Sequence, residues 1–257
     1  MAELPDLEVF SRNLHKIFVN KKLVKIKIVE GKNLKDSAAI LSTLKGKILI
    51  NLFRDGKELR FQFSDGHLLG MHLMLTGDIF IFEKKNQHPF TIIEFYFEDD
   101  IGLALCDRLK NANVKLNPIN KSGVDAISKE LSFTYLKKAL QRKTTIKNIL
   151  MDQDVIRGIG NSYSDEILWK TGISPFSVAA AIPELKIKEL VKNIKSILKN
   201  ATNNIYKNFP EKVNVEVKEY LKIHTKSSTH SPTGAEIKIE SKGMRKTYYT
   251  DEQILYK

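Results

Sequence analysis

The sequence predicts an α+β chain of two compact parts, an antiparallel β part led by one helix and a helical part, closed by a β-hairpin. Three observations carry that reading. Strand-like alternation of apolar and polar residues fills residues 23–107, a helical period takes over beyond residue 132, and two short alternating runs return near the end. At 257 residues the chain has length for two cores.

The elements follow in order. Pro5 stands where a first helical turn tolerates it, and Leu7, Phe10, Leu14, Ile17 and Phe18 recur at helical spacing, so a helix over 5–18 follows and anchors the amino terminus. Next come "LVKIKIV", "KILINLF", "ELRFQF", "DIFIF", "TIIEFYF" and "IGLALCD", separated by "RDGK", "SDGH" and "EDDIG". Six strands joined by tight turns make an antiparallel sandwich or barrel. Residues 115–132, with "NPINKSGVDAIS", read as a linker. Helical spacing then marks "TYLKKALQ", "TTIKNILMDQ", "NSYSDEILWKTG" and a long helix over 184–208. "AEIKIES" and "RKTYYT" around "KGM" make the terminal hairpin. No internal repeat is present.

A net charge of +12 favours a polyanionic partner such as nucleic acid. Lysines outnumber arginines 35 to 7, so the few arginines, Arg12, Arg54, Arg60, Arg108, Arg142, Arg157 and Arg245, mark places that need a planar forked donor. Cys106 is the only cysteine, which excludes an internal disulfide and a cysteine-built zinc site and fits a reducing, cytoplasmic setting. No apolar run approaches the roughly 18 residues of a membrane span, and no signal peptide is visible.

Two stretches carry chemistry. In "MAELPDLEVF" the small residue Ala2 favours removal of the initiator methionine, which would leave a free α-amine beside the carboxylate of Glu3. An unprotonated amine is a nucleophile and its neighbouring carboxyl a proton carrier; the bland alternative for Glu3 is an acid at a helix N-terminus. "RGIGNSYSDEILW" places two glycines and an asparagine between helices, a tight turn able to aim backbone amides at a phosphate, or an ordinary helical corner.

As a whole, "KTTIKNILMDQDVIRGIGNSYSDEILW" resembles the helix–two-turn–helix segment of the formamidopyrimidine-DNA glycosylase and endonuclease VIII family. The resemblance extends to both parts and the hairpin. It implies an N-terminal antiparallel β-sandwich with a leading helix over 1–114, a linker over 115–132, a helix–two-turn–helix DNA-binding domain over 133–225, and a β-hairpin finger over 226–257. Family members begin Pro-Glu-Leu-Pro-Glu after methionine removal, where this chain has Ala2-Glu3-Leu4-Pro5-Asp6. In the family the terminal nitrogen attacks C1′ of a damaged nucleotide, expels the base and forms a Schiff base with the sugar, which then eliminates phosphate. Ala2 and Glu3 would take the roles of nucleophile and proton carrier. Alanine departs from the family's proline.

"RDGKELRFQFSDGHLLGMHLMLTG" resembles the family's lysine-bearing turn and the loop that follows it. Lys57 falls on the lysine that reaches the lesion phosphate, and Leu75 on the methionine wedged into the hole left by the flipped nucleotide. His88 corresponds to a DNA-contacting histidine or is a surface residue. In "CDRLKNANVKL" the family's two other void-filling residues, arginine and phenylalanine, become Lys110 and Asn111. That loss points toward single-stranded or opened DNA, where unstacking costs least. Lys143, Lys147 and Asn161 match phosphate-contacting positions.

"GAEIKIESKGMRKTYYTDEQ" aligns with the family's zinc-finger hairpin. Its four cysteine positions become His230, Thr233, Thr250 and Gln253, so four-coordinate zinc cannot form and the hairpin is expected to be a zincless finger held by packing alone. Arg245 falls on the arginine that grips phosphates beside the lesion. The segment "YKNFPEKVNVEVKEYLKIHTK" is shorter than the lesion-capping segment of the oxoguanine-specific branch. The resemblance implies a monomeric bifunctional DNA glycosylase and abasic-site lyase for oxidised bases, needing no metal or organic cofactor, with damaged or abasic DNA as partner and a place in the bacterial cytosol or nucleoid. The alternative is a family member that binds damaged DNA and cuts weakly or not at all. A ribosome or RNA partner sharing only the helix–two-turn–helix is disfavoured by the landmarks in the β part.

Overall fold

The structure, a computed structural model, describes residues 1–30, 34, 37–243 and 245–257. Two compact units form: residues Met1–Asn120 with Ile205–Glu216, and residues Lys121–Asn204 with Val217–Lys257.

The first unit is a β-sandwich with a leading helix. Helix α1 (Leu4–Phe18) precedes β1 (Leu23–Ile28), α2 (Ser37–Leu44), β2 (Leu49–Asp55), β3 (Glu58–Phe63), β4 (Leu68–His72), β5 (Asp78–Glu83), β6 (Thr91–Phe97), β7 (Ile101–Cys106) and β8 (Asn113–Leu116). Two four-stranded antiparallel sheets result, ordered β1-β6-β7-β5 and β2-β3-β4-β8. The helical stripe foreseen in α1 is buried: Leu7, Phe10, Leu14 and Phe18 join Leu49, Leu59, Phe61, Phe63, Ile93, Phe95, Leu103 and Leu105 in one core. Each such side chain, fully buried, stabilises by about 1.5–3 kcal/mol. Phe18 meets Phe97 with ring centroids 4.8 Å apart.

The six expected strands are present, and β4, β8 and α2 are additional. β4 reads "LLGMH" and buries three successive residues, Leu69, Gly70 and Met71, so it shows no alternation. β8 has only four residues.

The stretch 115–132, expected as a linker, divides instead. Its first residues complete β8, and β9 (Val124–Asp125) pairs in parallel with β10 (Ile156–Arg157) inside the second unit. Residues 205–216 return to the first unit, where Lys16 Nζ donates to the Tyr206 hydroxyl (2.9 Å), Asn13 Nδ2 to the Lys212 carbonyl (2.8 Å) and the Val215 N–H to Asp78 Oδ1 (2.9 Å).

In the second unit α3 (Phe133–Ala139) and α4 (Ile146–Met151) are N-capped by Ser132 and Thr145, whose side chains accept the Tyr135 and Asn148 N–H groups. Helix α5 (Asn161–Thr171) ends at Gly172 in the left-handed region. Helix α6 (Glu184–Asn208) has the bounds its period predicted. The hairpin pairs β11 (Lys238–Lys242) with β12 (Arg245–Tyr249); Met244 of the sequence stretch "KGM" lies outside the described residues.

Packing alone does not hold this hairpin. All four positions aligned with cysteines are hydrogen-bonded. Thr233 Oγ1 donates to Glu252 Oε2 (2.8 Å), as does Thr250 Oγ1 (3.2 Å), while the Thr250 N–H donates to Gln253 Oε1 (2.9 Å). Gln253 Nε2 donates on to the Ile173 carbonyl (2.8 Å). Polar groups of this size can hydrogen-bond across the space that a metal would fill. His230 is exposed, beside the Thr229 hydroxyl.

Arg60, 4% exposed, braces the β2–β3 hairpin through Glu58 Oε2 (2.7 Å), Asp55 Oδ2 (3.5 Å) and the Pro118 carbonyl (3.0 Å). Burial pushes the Glu58 carboxyl up despite Arg60 beside it. Arg60→Met should lower stability by about 3 kcal/mol, because two carboxylates lose their buried partner. Thermal denaturation checks this, and a loss below roughly 1 kcal/mol would reduce Arg60 to an ordinary surface pair.

Candidate active site and nucleic-acid interface

In the first unit the chain start is held at the head of α1. Ala2 is 9% and Glu3 3% exposed. Pro5 opens the helix, the Asp6 carboxylate accepts the Glu3 N–H (3.3 Å), and the Glu3 carboxylate completes the capping box. The Met1 amine pairs with Glu216 Oε2 at 3.0 Å. While Met1 is present the Ala2 nitrogen is a peptide nitrogen and cannot attack.

Lys57 occupies the two-residue turn between β2 and β3, where Gly56 adopts φ +59°. That turn is tied to α1. Arg54 donates from Nε to Glu8 Oε2 (2.9 Å) and from Nη1 to the Gly56 carbonyl (3.0 Å), and His15 Nδ1 meets the Leu52 carbonyl at 3.2 Å. The fork of Arg54 thus joins the helix carrying Ala2 and Glu3 to the turn carrying Lys57. Arg54 drew notice in the sequence only as a scarce arginine; its partner Glu8 gave no signal.

After β4 the chain makes a tight turn over 72–77. His72 Nδ1 accepts the Met74 N–H (3.0 Å), Met74 stands at φ +54°, and the Gly77 N–H donates to the Leu73 carbonyl (2.9 Å). A Cβ at Gly77 would lie 2.2 Å from that carbonyl oxygen, so only glycine fits. The turn lifts Leu75 to 59% exposure. Burial, with the charges of Lys57 and Lys115, pushes His72 down to about 4. The neutral ring keeps the lone pair that Met74 uses.

Asp107, 1% exposed, organises both loops of this region. It accepts the Thr76 hydroxyl (2.5 Å) and the N–H groups of Leu109 (2.9 Å), Asn111 (2.8 Å) and Ala112 (2.8 Å). Burial alone would raise its carboxyl; these four donors hold it below the usual range. Lys110, at φ +56°, pairs with Glu30 at 2.7 Å. His88 lies flat on Phe80, centroids 4.0 Å apart, and so is half-buried.

In the second unit Arg245 and Lys143 are exposed. Asn161 opens α5, with Nδ2 donating to the Lys246 carbonyl at 2.9 Å. Lys147, expected at DNA phosphates, is turned inward. It is 5% exposed, pairs with Asp165 Oδ1 at 2.6 Å and donates to Thr247 Oγ1 at 2.9 Å, because it sits on the buried face of α4. Asp165, fully buried, also holds His224 Nδ1 (2.7 Å) and the Tyr248 N–H (3.0 Å). Lys147 therefore fastens the hairpin that bears Arg245. Gln153 stitches the glycine turn, accepting the Gly158 N–H (3.0 Å) and donating to the Ile159 carbonyl (2.8 Å). Sequence reasoning missed Asp165, His224 and Gln153; an acidic pair, Asp165 and Glu166, directly before the apolar Ile167 and Leu168 was the one available signal.

Among the described residues no helix is long and apolar enough to cross a membrane, and no group of three His, Cys, Asp or Glu could hold a metal.

Residues 1–114 match the formamidopyrimidine-DNA glycosylase N-terminal domain, and residues 122–208 match the formamidopyrimidine-DNA glycosylase H2TH domain. A formamidopyrimidine-DNA glycosylase of Lactobacillus gasseri is 33% identical over 216 residues, covering 79% of this chain and 78% of the relative. That of Mycoplasma genitalium is 30% identical over 245 residues, covering 88% and 86%. The fold matches a Lactococcus lactis formamidopyrimidine-DNA glycosylase crystallised non-covalently bound to DNA containing an abasic site, with TM-score 0.86, 23% identity and 97% and 98% of the two chains covered.

Two outcomes are expected. Between pH 6.5 and about 4 the unfolded chain carries a proton on His72 that the folded chain refuses, so stability falls as pH falls through that window. His72→Asn, which keeps an acceptor for Met74, should remove up to roughly 3 kcal/mol of that slope in denaturant titrations. Asp165→Asn should cost about 3 kcal/mol by stranding the Lys147 charge. The Lys147→Met/Asp165→Asn pair should cost less than Asp165→Asn alone, and simple additivity in thermal denaturation would refute the coupling.

Proposed function

The chain belongs to the formamidopyrimidine-DNA glycosylase family, and from that membership we propose that it is a DNA glycosylase and abasic-site lyase that removes oxidised bases with the Ala2 amine as nucleophile. We assign its work to the bacterial cytosol and nucleoid, a reading supported by the bacterial origin of its relatives. The observation that carries the assignment is the common frame of the head of α1 and the Lys57 turn, joined by Arg54 and Glu8.

Once Met1 is removed, the α-amine has a reference pKa of about 7.7–8.0, so a useful fraction is unprotonated near neutrality. Its lone pair attacks C1′, the bond from C1′ to the base breaks, and the base leaves with a proton. The sugar ring opens at the C1′–O4′ bond, the ring oxygen taking a proton relayed by Glu3, and the nitrogen is left as a protonated Schiff base. Loss of a C2′ proton then expels the 3′ phosphate. Lys57, Lys143, Asn161 and Arg245 are assigned to phosphate contacts. Leu75 is assigned to the apolar wedge.

Lys110 and Asn111 offer neither a forked donor nor a ring to stand in for an extruded base. Single-stranded or opened DNA is therefore the assigned substrate. The same substitutions favour a second reading, a protein that binds damaged DNA without cutting it.

Borohydride trapping separates the two. Protein verified by mass to start at Ala2 should form a covalent adduct, mapped to Ala2, with single-stranded DNA bearing one abasic site, and Met-retaining protein should form none. Glu3→Gln should lower base excision on the order of 10²–10⁴-fold. An adduct from Ala2→Pro protein but none from Ala2 would leave the scaffold competent and the native amine silent, which is the binding reading.

A further inference from the structure

An open cleft of about 460 Å³ in the first unit lies beside the Lys110 loop, lined by Val29, Glu30, Asn86, His88, Phe90 and Lys110 among others. Its polar floor is closed on itself. Asn86 Nδ2 donates to Thr91 Oγ1 (2.8 Å) and Glu94 Oε1 (3.1 Å), Asn86 Oδ1 accepts the His88 N–H (3.0 Å), and Glu94 Oε2 accepts the Tyr96 hydroxyl (2.5 Å). Two apolar side chains stand open on the rim beside Glu30, Gln87 and Lys110: Phe90 is 57% and Val29 49% exposed.

Phe90 is also held in a backbone state that a bulky residue seldom adopts, φ +58°, and its carbonyl accepts the Asp107 N–H at 2.9 Å. The Phe90 backbone is thereby held at the root of the Lys110 loop. Asn86, Thr91 and Glu94 are bonded to one another, whereas an exposed ring next to a lysine can take a base face and its phosphate, contacts that do not depend on the edge of the base. Lys110 is held meanwhile by a surface pair with Glu30, the kind of contact a phosphate displaces cheaply.

We propose that this cleft is a sequence-tolerant stacking subsite for one unpaired nucleobase of the bound strand, with Phe90 supplying the face and Lys110 the phosphate contact. The inference rests on the DNA-glycosylase reading and adds a residue that the family resemblance does not assign.

The test uses the full chain and single-stranded oligonucleotides with one abasic site and 2-aminopurine placed in turn at each nearby position. The parent should quench 2-aminopurine at one position. Phe90→Ala should weaken binding roughly ten- to hundredfold and abolish that quenching, with the salt dependence unchanged because no charge is lost. Phe90→Leu, which keeps apolar bulk and the fold, should also lose the quenching, and Phe90→Trp should keep it. Lys110→Gln should instead flatten the slope of log K against log salt by about 0.7. If the parent forms the borohydride adduct while Phe90→Ala and Phe90→Leu bind and quench as the parent does, the subsite is refuted and the glycosylase reading stands. A parent that neither binds nor traps abasic DNA refutes both.

Discussion

One buried carboxylate, Asp107, is the constraint on which the exposed chemistry of the first unit depends. It follows β7, receives the Thr76 hydroxyl from one loop and three N–H groups from the next, and gives its own N–H to the Phe90 carbonyl. Loops must satisfy their backbone donors somewhere, and here three of them converge on a single acceptor. Leu75, Lys110 and Phe90 stay exposed because the residues beneath them are bonded to Asp107. Such a carboxylate must stay ionised to accept four donors, which is why the hydrogen bonds outweigh burial in setting its pKa.

The second unit repeats the logic with a different acid. Asp165 binds Lys147, His224 and the Tyr248 backbone, joining α4, α5, the segment before the hairpin and β12. Glu166, next in sequence, accepts the N–H groups of Lys222, Ile223 and His224. Two adjacent acids on one helix thus locate the segment and the hairpin, and exposed Arg245 inherits its place from them. Charge in this protein is divided by burial: inward charges build the scaffold and outward ones face the solvent.

The hairpin illustrates a trade between metal and hydrogen bonds. A zinc ion organises four ligands around one centre. Threonine hydroxyls and an amide, gathered by Glu252 and Gln253, cross-link the same positions with weaker, more numerous contacts. Each such bond contributes only about 0.5–1.5 kcal/mol net, so the replacement depends on several acting together.

The sequence by itself determined six antiparallel strands that close as a sandwich or barrel, the helical unit, the bounds of α6 and the hairpin. These follow from periodicity and from motif order, both of which are local along the chain. Tertiary structure alone decided that β4 and β8 complete a sheet, that residues 205–216 rejoin the first unit, that Lys147 points inward and that Phe90 stands exposed over a closed polar floor. A helical period says that one face is buried but not which lysine lies on it. Asp165 and Glu8 are ordinary acids in the sequence, because a carboxylate acquires its role from partners tens of residues away, brought near only when the chain has folded.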